Sequence, residues 1–170
     1  MDASAFLAVA LACAPQVHIA TAHALVSVES SFNPWAIGVV GGVLEHQPRN
    51  RAEAISTAKA LQASGWSFSV GLSQINVRNL PRLGLTLERA FEPCANLGAM
   101  QAILLDCFDR AEALSAPPQM AQLVLRRALS CYYSGDFTTG YRQGYVRKVV
   151  AVCAARNPAS AQGPAKEKRS

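Results

Sequence analysis

Apolar residues along this chain recur mostly at three- and four-residue steps, the spacing of one helix face, and seldom alternate. Leu97, Met100, Leu104, Cys107, Phe108, Ala111 and Leu114 form the clearest series. They predict a long central helix opening at Pro93, a residue suited to the first helical position. Ser115-Ala116-Pro117-Pro118 breaks it, and another helix is expected from Met120 to about Tyr133, before the turn Ser134-Gly135-Asp136. Upstream, Ala5 to Ala12 reads as a short apolar helix. A second helix is expected from Thr21, as its N-cap, to Phe32, because Asn33 precedes Pro34 and residues before proline avoid the helical region. Val39-Val40-Gly41-Gly42 reads as a glycine-rich turn. Asn50-Arg51-Ala52-Glu53 has the form of a capping box and opens a helix carrying Ile55, Ala58 and Leu61, closed by Gly65. Trp66 to Asn76 shows some alternation and no helical face, so it reads as an extended segment or loop. A last helix covers roughly Tyr145 to Ala155. The predicted class is mainly α, with no internal repeat.

Composition narrows this picture. The 170 residues are 51% hydrophobic and 16% charged, which suits one globular domain able to bury a sizeable core. We place that domain at residues 1–155. Residues 156–170 are rich in Ala, Pro, Ser and Lys, lack an apolar face and read as a disordered basic tail. Four of the basic residues (Arg156, Lys166, Lys168 and Arg169) sit there against Glu167, so the tail carries much of the net charge of +5. A basic tail on a near-neutral body argues only weakly for a polyanionic partner. No stripe of Lys and Arg interleaves with aromatics, so no nucleic-acid surface is read. The longest apolar stretch, Ala3 to Pro15, is shorter than the ~18 residues of a membrane span. Asp2 precedes it without any Lys or Arg, so we read it as the first helix rather than as a secretory leader.

The five cysteines, Cys13, Cys94, Cys107, Cys131 and Cys153, include no C-x-x-C pair, and His18, His23 and His46 are not at ligand spacing. No zinc site is expected, and nothing signals a cofactor. The cysteines are either buried thiols or partly paired in an oxidising compartment. Cys94 and Cys107 lie on one predicted helix, roughly 20 Å apart at ~1.5 Å per residue. If pairs exist, each of these two joins Cys13, Cys131 or Cys153 instead.

Most carboxylates have structural uses. Glu53 completes the capping box, Glu88 and Glu92 lie near helix starts, and Asp106, Asp109 and Glu112 face outward on the long helix. Glu29 differs. It lies beside the apolar stripe of Leu25, Val28 and Phe32, in the last turn of its helix, where a negative charge meets the negative end of the helix dipole. Both features raise a carboxyl pKa, and a carboxyl that keeps its proton near neutral pH can act as a general acid. The competing reading is a boundary glutamate hydrogen-bonded to a neighbour. Gly71-Leu72-Ser73-Gln74-Ile75-Asn76 combines small residues, which let a ligand approach the backbone, with amides suited to sugar hydroxyl and acetamido groups. Tyr132 and Tyr133, at the end of a predicted helix, could orient a carboxyl or stack on a sugar ring; they could also be core aromatics.

In order along the chain, Glu29-Ser30, Asn33-Pro34 with Ala36, Gly71-Leu72-Ser73-Gln74-Ile75, Tyr132-x-x-Gly135 and Gly144-Tyr145-Val146-x-Lys148-Val149 resemble the soluble-lytic-transglycosylase family of peptidoglycan-cleaving enzymes. The resemblance spans roughly residues 13–155. It extends to the subfamily serving type IV secretion systems, through Cys13-Ala14-Pro15-Gln16-Val17, Ala36-Ile37-Gly38-Val39-Val40-Gly41-Gly42, Pro93-Cys94-x-Asn96-Leu97 and Ser130-Cys131-Tyr132-Tyr133-Ser134-Gly135, with a helix-bearing insertion between Gly42 and Gly71.

The resemblance implies a lysozyme-like, goose-type helical fold. It also implies cleavage of the β-1,4 bond between N-acetylmuramic acid and N-acetylglucosamine, leaving 1,6-anhydromuramic acid. It implies that Glu29 is the single catalytic acid and base, that Gly71, Leu72, Ser73 and Gln74 line the sugar site, and that Tyr132 stands beside the acid with Tyr133 following. The implied partners are glycan strands and secretion-system components, and the implied compartment is the periplasm, with two disulfides among Cys13, Cys94, Cys107 and Cys131. Three positions depart from the family pattern: Ser73 replaces a frequent Met, Tyr133 a frequent Asn, and Gly38 a Ser found nine residues after the acid in many members. The missing hydroxyl at Gly38 would then come from elsewhere, Ser73 being one source. A hydrolase would instead need a second carboxylate, with Glu45 and Asp136 as the candidates. A non-catalytic wall-binding module is the third reading.

Overall fold

The computed structural model describes residues 1–114 and 121–156. It is organised around the longest helix, α4 (Pro93–Ala113), which the sequence periodicity picks out. Its buried face carries Asn96, Leu97, Met100, Ile103, Leu104, Cys107 and Ala111. Helix α1 (Ala3–Cys13) and helix α5 (Ala121–Ser134) pack on it, while helix α2 (Ile19–Ser30) packs on helix α7 (Tyr145–Arg156). Helix α3 (Arg51–Ala63) and the short helix α6 (Thr139–Arg142) complete the α-helices among the described residues, beside short 3-10 turns at Val77–Asn79, Pro81–Leu83 and Arg89–Phe91. The predicted break at Ser115–Pro118, the predicted start at Met120 and the tail from Asn157 onward lie outside the described residues.

Three short strands form one antiparallel sheet, β1 (Ile37–Val39), β2 (Phe68–Val70) and β3 (Ile75–Asn76), in that order. Gly38 faces Ser69 across the first pair, and Val70 faces Ile75 across the second. The stretch read as extended or loop therefore contains two strands and the turn between them. They are too short for alternation alone to separate strand from loop. The core is continuous, with Phe6, Leu25, Phe68, Leu72, Phe91, Leu97 and Met100 each at most 2% exposed. No described helix is long and apolar enough to cross a membrane.

Two boundaries differ from the sequence reading for local reasons. Helix α2 starts before Thr21, because the His18 ring nitrogen Nδ1 accepts from the Ala20 amide and caps the helix. Thr21 is instead buried inside the helix. The same helix ends at Ser30 rather than Phe32, since Ser31 and Phe32 both turn left-handed, with φ of 51° and 63°. At Asn50 the capping box is shifted: Asn50 Oδ1 accepts from the Glu53 amide, but Glu53 Oε2 accepts from the Arg49 amide.

The cysteines resolve into Cys13–Cys94, which ties α1 to the start of α4, and Cys107–Cys131, which ties α4 to α5. Cys153 is a free thiol.

Candidate active site

Glu29 occupies the last turn of α2, just before the left-handed pair Ser31-Phe32. Non-glycine residues rarely adopt positive φ, and such strained backbone clusters at functional sites. The reversal ends the helix with the carboxyl of Glu29 at the wall of a cleft. Burial is the first cause acting on that carboxyl, and it raises the pKa from 4.5 to about 7. A hydrogen bond from Tyr145 opposes the rise: its hydroxyl donates to Glu29 Oε1 at 2.5 Å. Tyr145 is the first residue of α7, and the Gly144 turn (φ 75°) delivers it there. Burial, and then the charge of Glu29, push the Tyr145 phenol far above its ordinary value, so it stays a donor across the physiological range.

Two more tyrosines arrive from the end of α5. Tyr132 donates to the Ser73 carbonyl at 2.7 Å, and burial followed by the charge of Glu29 holds it protonated. Tyr133 stacks on Tyr145, with ring centroids 4.5 Å apart, and donates to Gln143 Oε1 at 2.7 Å. The aromatic pair thus spans from solvent to the catalytic carboxyl candidate.

The turn between β2 and β3 is built from the inside. Gly71 has φ of 78°, and a Cβ there would lie 2.8 Å from the Ala90 carbonyl and against the Asn96 amide. Leu72 and Ser73 are wholly buried. Asn96, itself 1% exposed, accepts from the Ser73 amide at 2.8 Å and donates to the carbonyls of Val70 (3.0 Å) and Ala90 (2.7 Å). This clamp forces Gln74 into left-handed backbone, φ 49°. The Gln74 Nε2 then donates to Ala36 O and Gly71 O, at 3.1 and 2.9 Å. Its Oε1 is directed over Gly38, where a Cβ would sit only 2.6 Å away. Glycine at 38 is what leaves room for that carboxamide.

The cleft encloses about 420 Å³. Glu29, Gln74, Asn76, Tyr132, Tyr133 and Thr139 are among its walls, and Glu29 is the only carboxylate lining it among the described residues. Of the residues singled out from the sequence, Glu29, Gln74, Tyr132 and Tyr133 come together here. Gly71, Leu72 and Ser73 do not line the cleft; they form its buried support. The Ser73 hydroxyl points inward with no hydrogen-bond partner among the described residues, so it does not supply the hydroxyl absent at Gly38. Neither candidate second carboxylate reaches the cleft wall. Asp136 is occupied by the amides and hydroxyls of Thr138 and Thr139, and the Thr139 hydroxyl foremost holds its pKa well below the usual carboxylate range.

Residues 6–149 match the model of the transglycosylase SLT domain. The chain belongs to that family. SLT domains are lysozyme-like helical folds, in agreement with the architecture above. Among curated relatives, the chain is 50% identical over 151 residues to the type IV secretion system protein virB1 of Brucella suis, covering 86% of this chain and 63% of that protein. It is 41% identical over 139 residues to protein virB1 of Agrobacterium fabrum, covering 81% of this chain and 54% of that one. It is 35% identical over 166 residues to protein virB1 of Rhizobium radiobacter, covering 96% and 67%. The chain therefore spans under two thirds of the length of the Brucella relatives. No solved structure matches it.

Within this SLT domain, two residues of the site stand in the motifs quoted from the sequence but were not named there as site residues. Tyr145 is the direct partner of Glu29; its signal was a tyrosine directly after Gly144 at the opening of the last helix. Asn96 organises the Gln74 turn; its signal was an amide one position before Leu97, on the apolar face of the longest helix.

Proposed function

We propose that this chain is a peptidoglycan lytic transglycosylase. It cuts the MurNAc-β-1,4-GlcNAc bond in the periplasm and opens the wall locally for assembly of a type IV secretion system. The observation that carries the reading is a buried carboxyl, its pKa pushed up to about 7 by that burial, which is the only carboxylate lining its cleft among the described residues. Membership of the SLT family and the similarity to virB1 proteins support it.

In this mechanism Glu29 begins protonated, as its raised pKa allows at neutral pH. It donates that proton to the glycosidic oxygen as the bond from C1 of the muramic residue breaks. The oxygen leaves as the O4 hydroxyl of N-acetylglucosamine. The C6 hydroxyl of the same muramic residue closes onto C1. Its proton passes to the Glu29 carboxylate, which restores the starting state. No water is consumed, so no second carboxylate is needed to activate one, in contrast to a two-carboxylate glycosidase. Tyr145 supports the charged half of the cycle, because its hydroxyl bonds to Oε1. Gln74, Asn76 and Tyr133 offer amide and aromatic contacts to the sugars.

The test is clearance of purified sacculi by the wild type, Glu29→Gln and Glu45→Gln. Removing a general acid costs about 10²–10⁴-fold in rate. We expect that loss for Glu29→Gln and near-wild-type clearance for Glu45→Gln. Comparable losses in both would point to a two-carboxylate hydrolase. Clearance that survives Glu29→Gln would overturn the assignment.

A further inference from the structure

A second cavity of about 340 Å³ opens off the cleft and shares with it Asn76, Asn79, Ile103, Tyr132, Tyr133 and Ser134. Its own walls add Arg78, Arg82 and Arg110, with Asp106 as the only carboxylate lining it among the described residues. Asp106 is already committed, accepting from Arg110 at 3.4 Å, and Arg110 also lies over the Phe137 ring at 5.5 Å. Arg82 is steadied through its Nε, which donates to Asn79 Oδ1 at 3.1 Å. The guanidinium groups of Arg78 and Arg82 meet no carboxylate among the described residues. The pocket is thus cationic and continuous with the cleft that holds Glu29.

We propose that this side pocket receives a carboxylate on the peptide branch of the glycan strand, with Arg78 and Arg82 as its receptors. The proposal rests on the function proposed above and adds a specificity element to it. With its lactyl groups tied to peptide, a glycan backbone of N-acetylated sugars is uncharged, so it offers no counter-charge to these two guanidiniums, which have none among the described residues. The peptide branch is the part of the polymer that carries carboxylates. It springs from the muramic residue, the sugar on one side of the bond facing Glu29, and must leave the cleft sideways. The arginine pocket opens off the cleft and so offers such an exit. A planar guanidinium can engage a carboxylate through two parallel hydrogen bonds, which fixes direction as well as charge. Arg78 and Arg82 are solvent-exposed, so their pull is screened by salt, and their replacement leaves the core untouched.

The test is binding, measured calorimetrically on the whole chain and on the Arg78→Gln/Arg82→Gln double variant. The probes are the disaccharide GlcNAc-1,6-anhydroMurNAc bearing a tetrapeptide, the same compound with its carboxylates amidated, and the peptide-free disaccharide with its lactyl carboxyl amidated. We expect the acidic probe to bind the wild type about tenfold more tightly than either neutral probe. That advantage should vanish in the double variant and in about 1 M salt, while the peptide-free disaccharide binds both proteins equally. Equal affinities for all three probes in the wild type would overturn the proposal. So would a double variant that weakens all three alike. None of the probes contains the bond to be cleaved. A failure of the Glu29 assignment would therefore appear in the sacculus assay and leave this measurement standing, and the reverse also holds.

Discussion

Replacing Tyr145 with Phe should raise the pKa of Glu29, although the substitution deletes a single oxygen. Two opposing causes set that carboxyl near 7: burial drives it up, and the Tyr145 hydroxyl, 2.5 Å from Oε1, draws it down. Hydrogen bonds to charged groups contribute about 1.5–3 kcal/mol, and 1.36 kcal/mol corresponds to one pH unit of titration. Tyr145→Phe should therefore move the Glu29 midpoint up by roughly one to two pH units. The ring that stacks on Tyr133 at 4.5 Å is retained, so the packing between α5 and α7 should survive. Carbon NMR of labelled glutamate carboxyls, followed through a pH titration, reads the midpoint directly. The alkaline limb of the activity profile should move the same way, while the rate at its plateau falls, because the carboxylate formed during the cycle loses its donor. A midpoint that stays near 7 or moves down would refute the claim that Tyr145 tunes Glu29.

Three further outcomes follow from the same geometry. Glu29 keeps its proton in the fold up to about pH 7 but loses it near 4.5 in the unfolded chain, so it lowers stability progressively as pH rises through that window. Glu29→Gln should then be more stable than the wild type by up to about 3 kcal/mol at alkaline pH and indistinguishable from it at about pH 4, as read by thermal melts. Asn96→Ala would orphan the Ser73 amide and the carbonyls of Val70 and Ala90; at about 1–3 kcal/mol for each buried group left unpaired, denaturant titration should show a loss above ~3 kcal/mol, together with reduced wall cleavage as the Gln74 turn loosens. The disulfides bridge separations of 81 and 24 residues, for which loop-closure entropy gives about 4.5 and 3.5 kcal/mol; replacing Cys13 and Cys94 by Ala should destabilise more than replacing Cys107 and Cys131.

Helix α4 was legible because its apolar residues keep helical spacing for more than five turns, and no other regular structure satisfies that pattern. Asn50 and Gly65 marked the ends of α3 through local cap chemistry that needs no tertiary partner. Glu29 stood out as a charge placed beside a buried stripe. What stayed hidden was set by contacts distant in sequence. Tyr145 meets Glu29 across 116 residues, and the Gly144-Tyr145 motif that contains it does not by itself say which side chain it bonds. The inward orientation of Ser73 depends on Asn96, 23 residues away, so a polar residue in a glycine turn was read as facing a ligand when it faces the core. The start of α2 was misplaced because a histidine ring nitrogen does the capping there, a task usually met by hydroxyl or carboxamide oxygens.

The central claim is that one carboxyl serves as both acid and base because the nucleophile belongs to the substrate. It is tested most directly by mass spectrometry of the soluble products released from purified sacculi in heavy-oxygen water, with wild type and Glu29→Gln side by side. The account predicts muropeptides ending in 1,6-anhydromuramic acid, free of heavy oxygen, from the wild type only. Reducing-end muropeptides that carry heavy oxygen would contradict it, since they would show that water, activated by some other group, attacks the muramic carbon.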